Sequence, residues 1–134
     1  MEYKKRPDLY WNNWISVPFI LMVLPSLILL DIFIELYQNI CFRLYKIKLI
    51  KRGDYIRIDR QKLKYLSLFE KFGCSYCGYA NGLLQYASAI ANRTEKYWCG
   101  IKHKKSGEDD TFKEPPHHKD FLEYGDEEGY KKLK

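Results

Sequence analysis

Three thiols and one imidazole give this chain its most distinctive chemistry: Cys74, Cys77, Cys99 and His103. CSYC is a Cys-x2-Cys pair and CGIKH a Cys-x3-His pair, with 21 residues between them. Zinc takes four sulfur or nitrogen donors tetrahedrally without redox change, so this donor set predicts one structural Cys3His zinc site. The same residues could hold iron or an iron-sulfur centre. Cys-x2-Cys also serves as a thiol-redox pair where a helix N-terminus stabilises a thiolate. Against that, no thioredoxin-like alternation of strands and helices surrounds the motif, and no proline follows it. The plainest alternative is that these cysteines are small buried apolar residues. Glu95, four residues before Cys99, is the one acid placed to support a third reading, a small membrane metalloenzyme. Its ordinary role is a salt bridge to Arg93, Lys96 or Lys102. With no catalytic constellation beside the cluster, an accessory or binding module is expected rather than an enzyme. His117 and His118 are spare metal-capable residues, but after Pro115-Pro116 they are expected on a solvated loop rather than as ligands.

The elements around the cluster must bring its two halves together. Residues 82–98 read as a helix with Leu83, Tyr86, Ala87, Ile90 and Ala91 as its apolar stripe. Unbroken from 81 to 98, such a helix is about 27 Å long and holds Cys77 and Cys99 apart. One shared ion therefore requires the helix to stop near Ala91 or Asn92, with 93–99 returning in extended form. Otherwise a second chain or partner completes the ligands, or no metal is shared. Leu63 to Phe72 suggests a short helix closed by Gly73, and DYIRID (54–59) alternates as a short strand after a turn at Gly53. Gly73, Gly78 and Gly82 would then allow tight turns around the ion.

Residues 9–30 contain no charge, and 22 helical residues span about 33 Å, enough for one crossing of a membrane. Tyr10, Trp11 and Trp14 start the run like an interfacial aromatic belt. Pro18 and Pro25 each remove a helical hydrogen bond, so a re-entrant hairpin also fits. In 31–50, Asp31, Glu35, Gln38, Asn39, Arg43 and Lys46 share one helical face, and Phe33, Leu36, Tyr37, Ile40, Leu44 and Ile47 the other. This amphipathic helix is expected to lie along the membrane surface with its polar face in water. A helix leaving the bilayer with Asp31 and Glu35 as intramembrane carboxylates is the alternative. The expected class is mainly α, in four parts: membrane anchor 1–30, amphipathic interfacial helix 31–52, Cys/His-rich domain with a short strand 53–105, and polar acidic tail 106–134.

Charge is uneven along the 134 residues. Between 43 and 64 nine basic residues face two acids, whereas from 106 onward nine acids face five lysines. A basic stretch after an apolar run suits anionic lipid headgroups. Tethering to lipid, with no nucleic-acid motif present, argues against nucleic acid as a partner. Membrane lipids are the expected partners, together with a membrane protein or a second copy of the chain. The basic excess after the anchor places the following domain in the cytoplasm under the positive-inside rule. Three cysteines outside the apolar region, at metal-type spacing, suit a reducing compartment.

The strings YLSLFEKFGCSYCGYANG and RTEKYWCGIKH, following LYQNI, resemble a family of small bacterial membrane-associated proteins that is itself uncharacterised. The likeness covers roughly residues 20–125 and rests on CxYCGYANG and RTExYWCxIKH. It implies an N-terminal apolar segment and a Cys/His-rich block at a bacterial inner membrane. It implies no activity, ligand or partner.

Overall fold

The computed structural model describes residues 2–107 and 111–132. The acids at 108–110 of the expected tail, and residues 133–134, lie outside the described residues. The chain divides into two compact units, Met1–Ala87 and Ser88–Lys134. Its helices are α1 (Tyr10–Leu21), α2 (Leu24–Tyr37), α3 (Leu68–Trp98) and the short α4 (Glu127–Lys132). The mainly helical class is as expected. No strand forms among the described residues.

In the first unit α1 and α2 form one kinked helical path. Met22 (φ −59°, ψ −23°) and Val23 (φ −75°, ψ −21°) keep helical dihedrals between them, so there is no hairpin. Pro25 lies at the start of α2, where its missing N–H costs little, and it accounts for the kink. The Tyr76 hydroxyl donates to the Ile20 carbonyl at 2.7 Å beside that kink. The run Pro7–Phe42 is the one helix among the described residues long and apolar enough to cross a membrane. It ends in a π-turn, Gln38–Phe42, closed by Lys46 at φ 57°. There Ile47 N–H donates to Phe42 O at 2.8 Å and Lys46 N–H to Arg43 O at 3.2 Å, the bonding pattern of a Schellman cap.

The amphipathic helix expected over 31–52 ends by Lys46, and its first part is amphipathic in the reverse sense from that expected. Gln38 is 3% exposed and Asp31 and Glu35 are half-buried, while Phe33 is 65% and Leu44 72% exposed. Asp31, Glu35 and Gln38 turn inward because the unit supplies them with partners there, whereas Asn39, Arg43 and Lys46 stay exposed. Gln38 bonds both backbone groups of Ile50, accepting from N–H at 2.8 Å and donating to O at 3.3 Å.

After Lys46 the chain returns along α3 as a strap with two 3-10 turns, Arg52–Asp54 and Arg60–Lys62. The alternation at 54–59 does not become a strand, because no partner strand lies beside it. Its backbone packs on a helix instead. A Cβ at Gly82 would lie 2.7 Å from the Tyr55 carbonyl oxygen, and one at Gly78 2.7 Å from that of Arg57. These glycines thus admit the strap rather than turning around an ion. Ser67 and Glu70 form a capping box at the start of α3, with Glu70 accepting from Ser67 N–H at 2.9 Å and Ser67 Oγ accepting from Glu70 N–H at 3.3 Å. The helix then runs through Gly73, where a stop was expected, for 31 residues or about 46 Å. Leu27, Phe42, Ile50, Leu66, Leu83 and Tyr86 form the core of this unit.

The second unit gathers the last turns of α3 and the chain after it. Leu122 N–H donates to Gly100 O at 2.7 Å and Lys102 N–H to Leu122 O at 2.8 Å, with an isolated parallel bridge between Ile101 and Leu122. A 3-10 turn, Pro116–Asp120, is wedged in between and ends on buried Phe121.

Candidate metal centre

Glu95 lies on the last turn of α3, His103 follows the bridged segment, and His117 and His118 occupy the 3-10 turn. Pro115 and Pro116 begin that turn with the fixed φ a tight helix needs. His118 N–H donates to Pro115 O at 3.0 Å, and Phe121 N–H to His118 O at 2.9 Å, which aims the His118 ring inward. The ring is fully buried and stacks on Phe121, with centroids 4.7 Å apart and planes at 22°. His103 lies 5.6 Å from it ring to ring and meets Phe112 edge-on at 5.1 Å.

One carboxylate links the two adjacent histidines. Glu95 Oε2 lies 2.7 Å from His117 Nε2, and Oε1 lies 3.0 Å from His118 Nε2. Burial alone would raise the Glu95 pKa. Hydrogen bonds from His117 and then His118 outweigh it and hold the carboxyl below its ordinary range. Glu95, His103 and His118 each offer a ligand atom, and these three atoms all lie within 4.8 Å of one another. When His118 donates from Nε2 to Glu95, its Nδ1 carries a bare lone pair. That buried atom has no hydrogen-bond partner among the described residues, and the nearest carboxylate oxygen, on Glu114, is 3.9 Å away. That nitrogen faces away from Glu95, so an ordered water rather than an ion shared with Glu95 would complete it; an ion shared with Glu95 would take the place of the Nε2 proton.

Two imidazoles and a carboxylate suit zinc, which binds either donor at about 2.0–2.2 Å and keeps an open position when three protein ligands hold it. They also match the two-histidine, one-carboxylate set of non-haem iron. His117 would then steady the ligand carboxylate from behind, as outer hydrogen bonds do in metal sites.

Of the four residues singled out by spacing, only His103 belongs to this group. Cys74 and Cys77 lie within the first half of α3, one half-buried and the other exposed, and Cys99 follows its last residue, exposed. The break near Ala91 or Asn92 that would return the chain from Cys77 to Cys99 is absent. The Cys99 thiol donates to the Ile101 carbonyl at 3.8 Å. All four cysteines are free. His118, expected on a solvated loop, is instead the most enclosed member of the site. The sequence hint was the spacing of Phe112, Phe121 and Leu122 around the histidines, which gives the turn a small core of its own.

The first unit holds a second polar cluster. Arg52 makes a two-pronged ion pair with Asp31, one bond at 2.7 Å, and lies 3.5 Å from Glu35. Tyr79 donates to Asp31 at 2.9 Å. Tyr86 donates to Glu35 at 3.0 Å and accepts from Gln38 at 2.7 Å. Burial, reinforced by the Glu35 carboxylate, pushes the Tyr86 phenol up to about 12. Each member bonds within the cluster, so it reads as an internal clamp between helix and strap. No family model, no curated protein and no solved structure matches the chain.

Proposed function

We propose that the protein is a membrane-anchored accessory module whose C-terminal unit binds a zinc ion through Glu95, His103 and His118. The observation that carries this reading is the convergence of those three donors within 4.8 Å around the enclosed ring of His118. The ligand set differs from the Cys3His set that spacing suggests, and it needs no break in α3. The apolar run Pro7–Phe42 supports the membrane half of the reading, and the basic excess after it, suited to the anionic cytoplasmic leaflet, supports a cytoplasmic position for the C-terminal unit.

Full-length protein purified without chelator is expected to carry close to one zinc per chain. Glu95→Gln and His118→Ala should each lower metal affinity at least tenfold. Cobalt substitution separates the two ligand sets. A spectrum without a thiolate-to-metal charge-transfer band supports nitrogen and oxygen ligands, and a strong band would restore the cysteines. Protein that folds free of metal and ignores added zinc and iron would overturn the reading.

A small membrane metalloenzyme is a second reading, favoured by the donor count. Three protein ligands leave a coordination position for water or substrate. Binding of an added small anion to the cobalt form, with a shifted spectrum, would favour it over a closed structural site.

A further inference from the structure

We infer that the first unit docks on a single leaflet of an anionic bilayer with α1 and α2 lying in the membrane plane, rather than crossing it. This inference rests on the membrane half of the function proposed above and adds the orientation.

The outward face of the kinked helix is a continuous apolar row. It runs from Trp11, 75% exposed, through Ile15, Phe19 and Met22 to Leu29 and Phe33, and on at steps of three and four to Leu44. The opposite side is occupied along its whole length by the same unit. Trp14 packs on Phe69 with ring centroids 4.9 Å apart, Tyr76 reaches Ile20, Tyr79 and Arg52 hold Asp31, and Ile50 pairs with Gln38. The strap therefore leaves from beside Gln38 and rejoins α3 beside Trp14. Between those points the helix rises about 36 Å, more than a hydrocarbon core.

That strap carries ten charged residues between 46 and 64. Lys46, Lys48, Lys51, Arg57, Arg60 and Lys64 are all exposed. If α1 and α2 stood upright, these exposed charges would be drawn through the hydrocarbon, which bilayers strongly oppose. Lying flat removes the conflict. The apolar row sinks into the acyl boundary by about 5–10 Å, the depth of an interfacial amphipathic helix. The strap then sits at headgroup level, where its long basic side chains meet anionic lipid. Tyr10 and Trp14, with Val17, Ile20 and Phe69, line an apolar groove of about 380 Å³ beside Arg6, in keeping with an interfacial position.

The test uses full-length protein and vesicles of phosphatidylcholine with or without phosphatidylglycerol. Trp11, Trp14 and Trp98 are replaced by phenylalanine, and a reporter is introduced singly as Ile15→Trp, Met22→Trp or Leu44→Trp. Lipids brominated at shallow or deep acyl carbons then report depth. All three reporters should be quenched most by the shallow bromines and to a similar extent. Affinity should be at least tenfold higher with phosphatidylglycerol present. Deepest quenching at Met22 with none at Leu44 would mean an upright span and overturn the inference while leaving the membrane reading intact. Equal affinity for neutral vesicles would overturn the headgroup assignment. A protein that never floats with vesicles and self-associates through this face would sink both the orientation and the membrane reading.

Discussion

Tyr86 shows how a single side chain joins several parts of the first unit. Its ring is in the core at 1% exposure, its oxygen accepts from Gln38, and its proton goes to Glu35. Burial and the neighbouring carboxylate both favour the neutral phenol, so the folded protein holds this proton to about pH 12. An unfolded chain releases it near pH 10. The raised value stabilises the fold fully below about pH 10, and this contribution is lost as pH climbs towards 12, because the unfolded state deprotonates first. The other tyrosines titrate in the same region, so the wild type must be compared with Tyr86→Phe. At neutral pH the variant should be less stable by about 1–3 kcal/mol, since Gln38 loses a buried acceptor. Denaturant melts at rising pH should show that difference shrinking between pH 10 and 12. A difference constant with pH would mean Tyr86 does not hold its proton as its surroundings imply.

Glycine misled the sequence reading at the scale of elements, and in both directions. The capping box at Ser67 and Glu70 starts α3, yet three glycines within the first half of the helix suggested turns there. Two of them are helix surface on which the strap rests, and period-three-and-four patterning cannot reveal a contact between residues so far apart in the chain as Gly82 and Tyr55. Conversely, the helix after Phe42 ends on Lys46 in a left-handed conformation, so no glycine marks that boundary. The apolar run 9–30, the helical class and the amphipathic pattern of 31–50 were legible, because each depends on local periodicity. Which face of that pattern turns inward was not, because it depends on Arg52, Tyr79 and Tyr86. The metal group was half legible for the same reason. Glu95 and His103 stood out beside Cys99, whereas His118 acquires its burial from Phe121 and from the bridge at Leu122. The strap contact has a direct test in paired substitutions. Gly82→Ala should cost about 1–3 kcal/mol, since the new methyl meets backbone at 2.7 and 2.8 Å. Gly73→Ala, with nothing within 4 Å of its Cβ, should stabilise α3 by about 0.5–1 kcal/mol. Equal melting shifts of the same sign would show that the strap does not lie on Gly82.

At the scale of the molecule, the two units rely on different means of stability. The first contains most of the buried apolar side chains and its internal ion pairs. The second is 47 residues long and, among the described residues, encloses few large apolar groups, chiefly Ile90 and Phe121, the latter stacked on His118. Scaffolds of that size usually need a staple, and a bound ion would supply one. Ligand held by the folded state alone adds RT ln(1 + [L]/Kd), about 2.7 kcal/mol at a hundredfold excess over Kd. Removing metal from the full-length protein with chelator should therefore speed amide exchange in 95–103 and 115–122 by roughly a hundredfold under that condition. Exchange in α2 and in the strap-facing turns of α3 around Gly78 and Gly82 should stay unchanged. Restoring zinc should restore protection, and Glu95→Gln should abolish the response to both treatments. If chelation leaves the second unit as protected as before, its small core suffices alone and the ion has no structural part there. If protection falls equally throughout Met1–Ala87, the metal acts on the whole chain and the division of labour between the units is wrong.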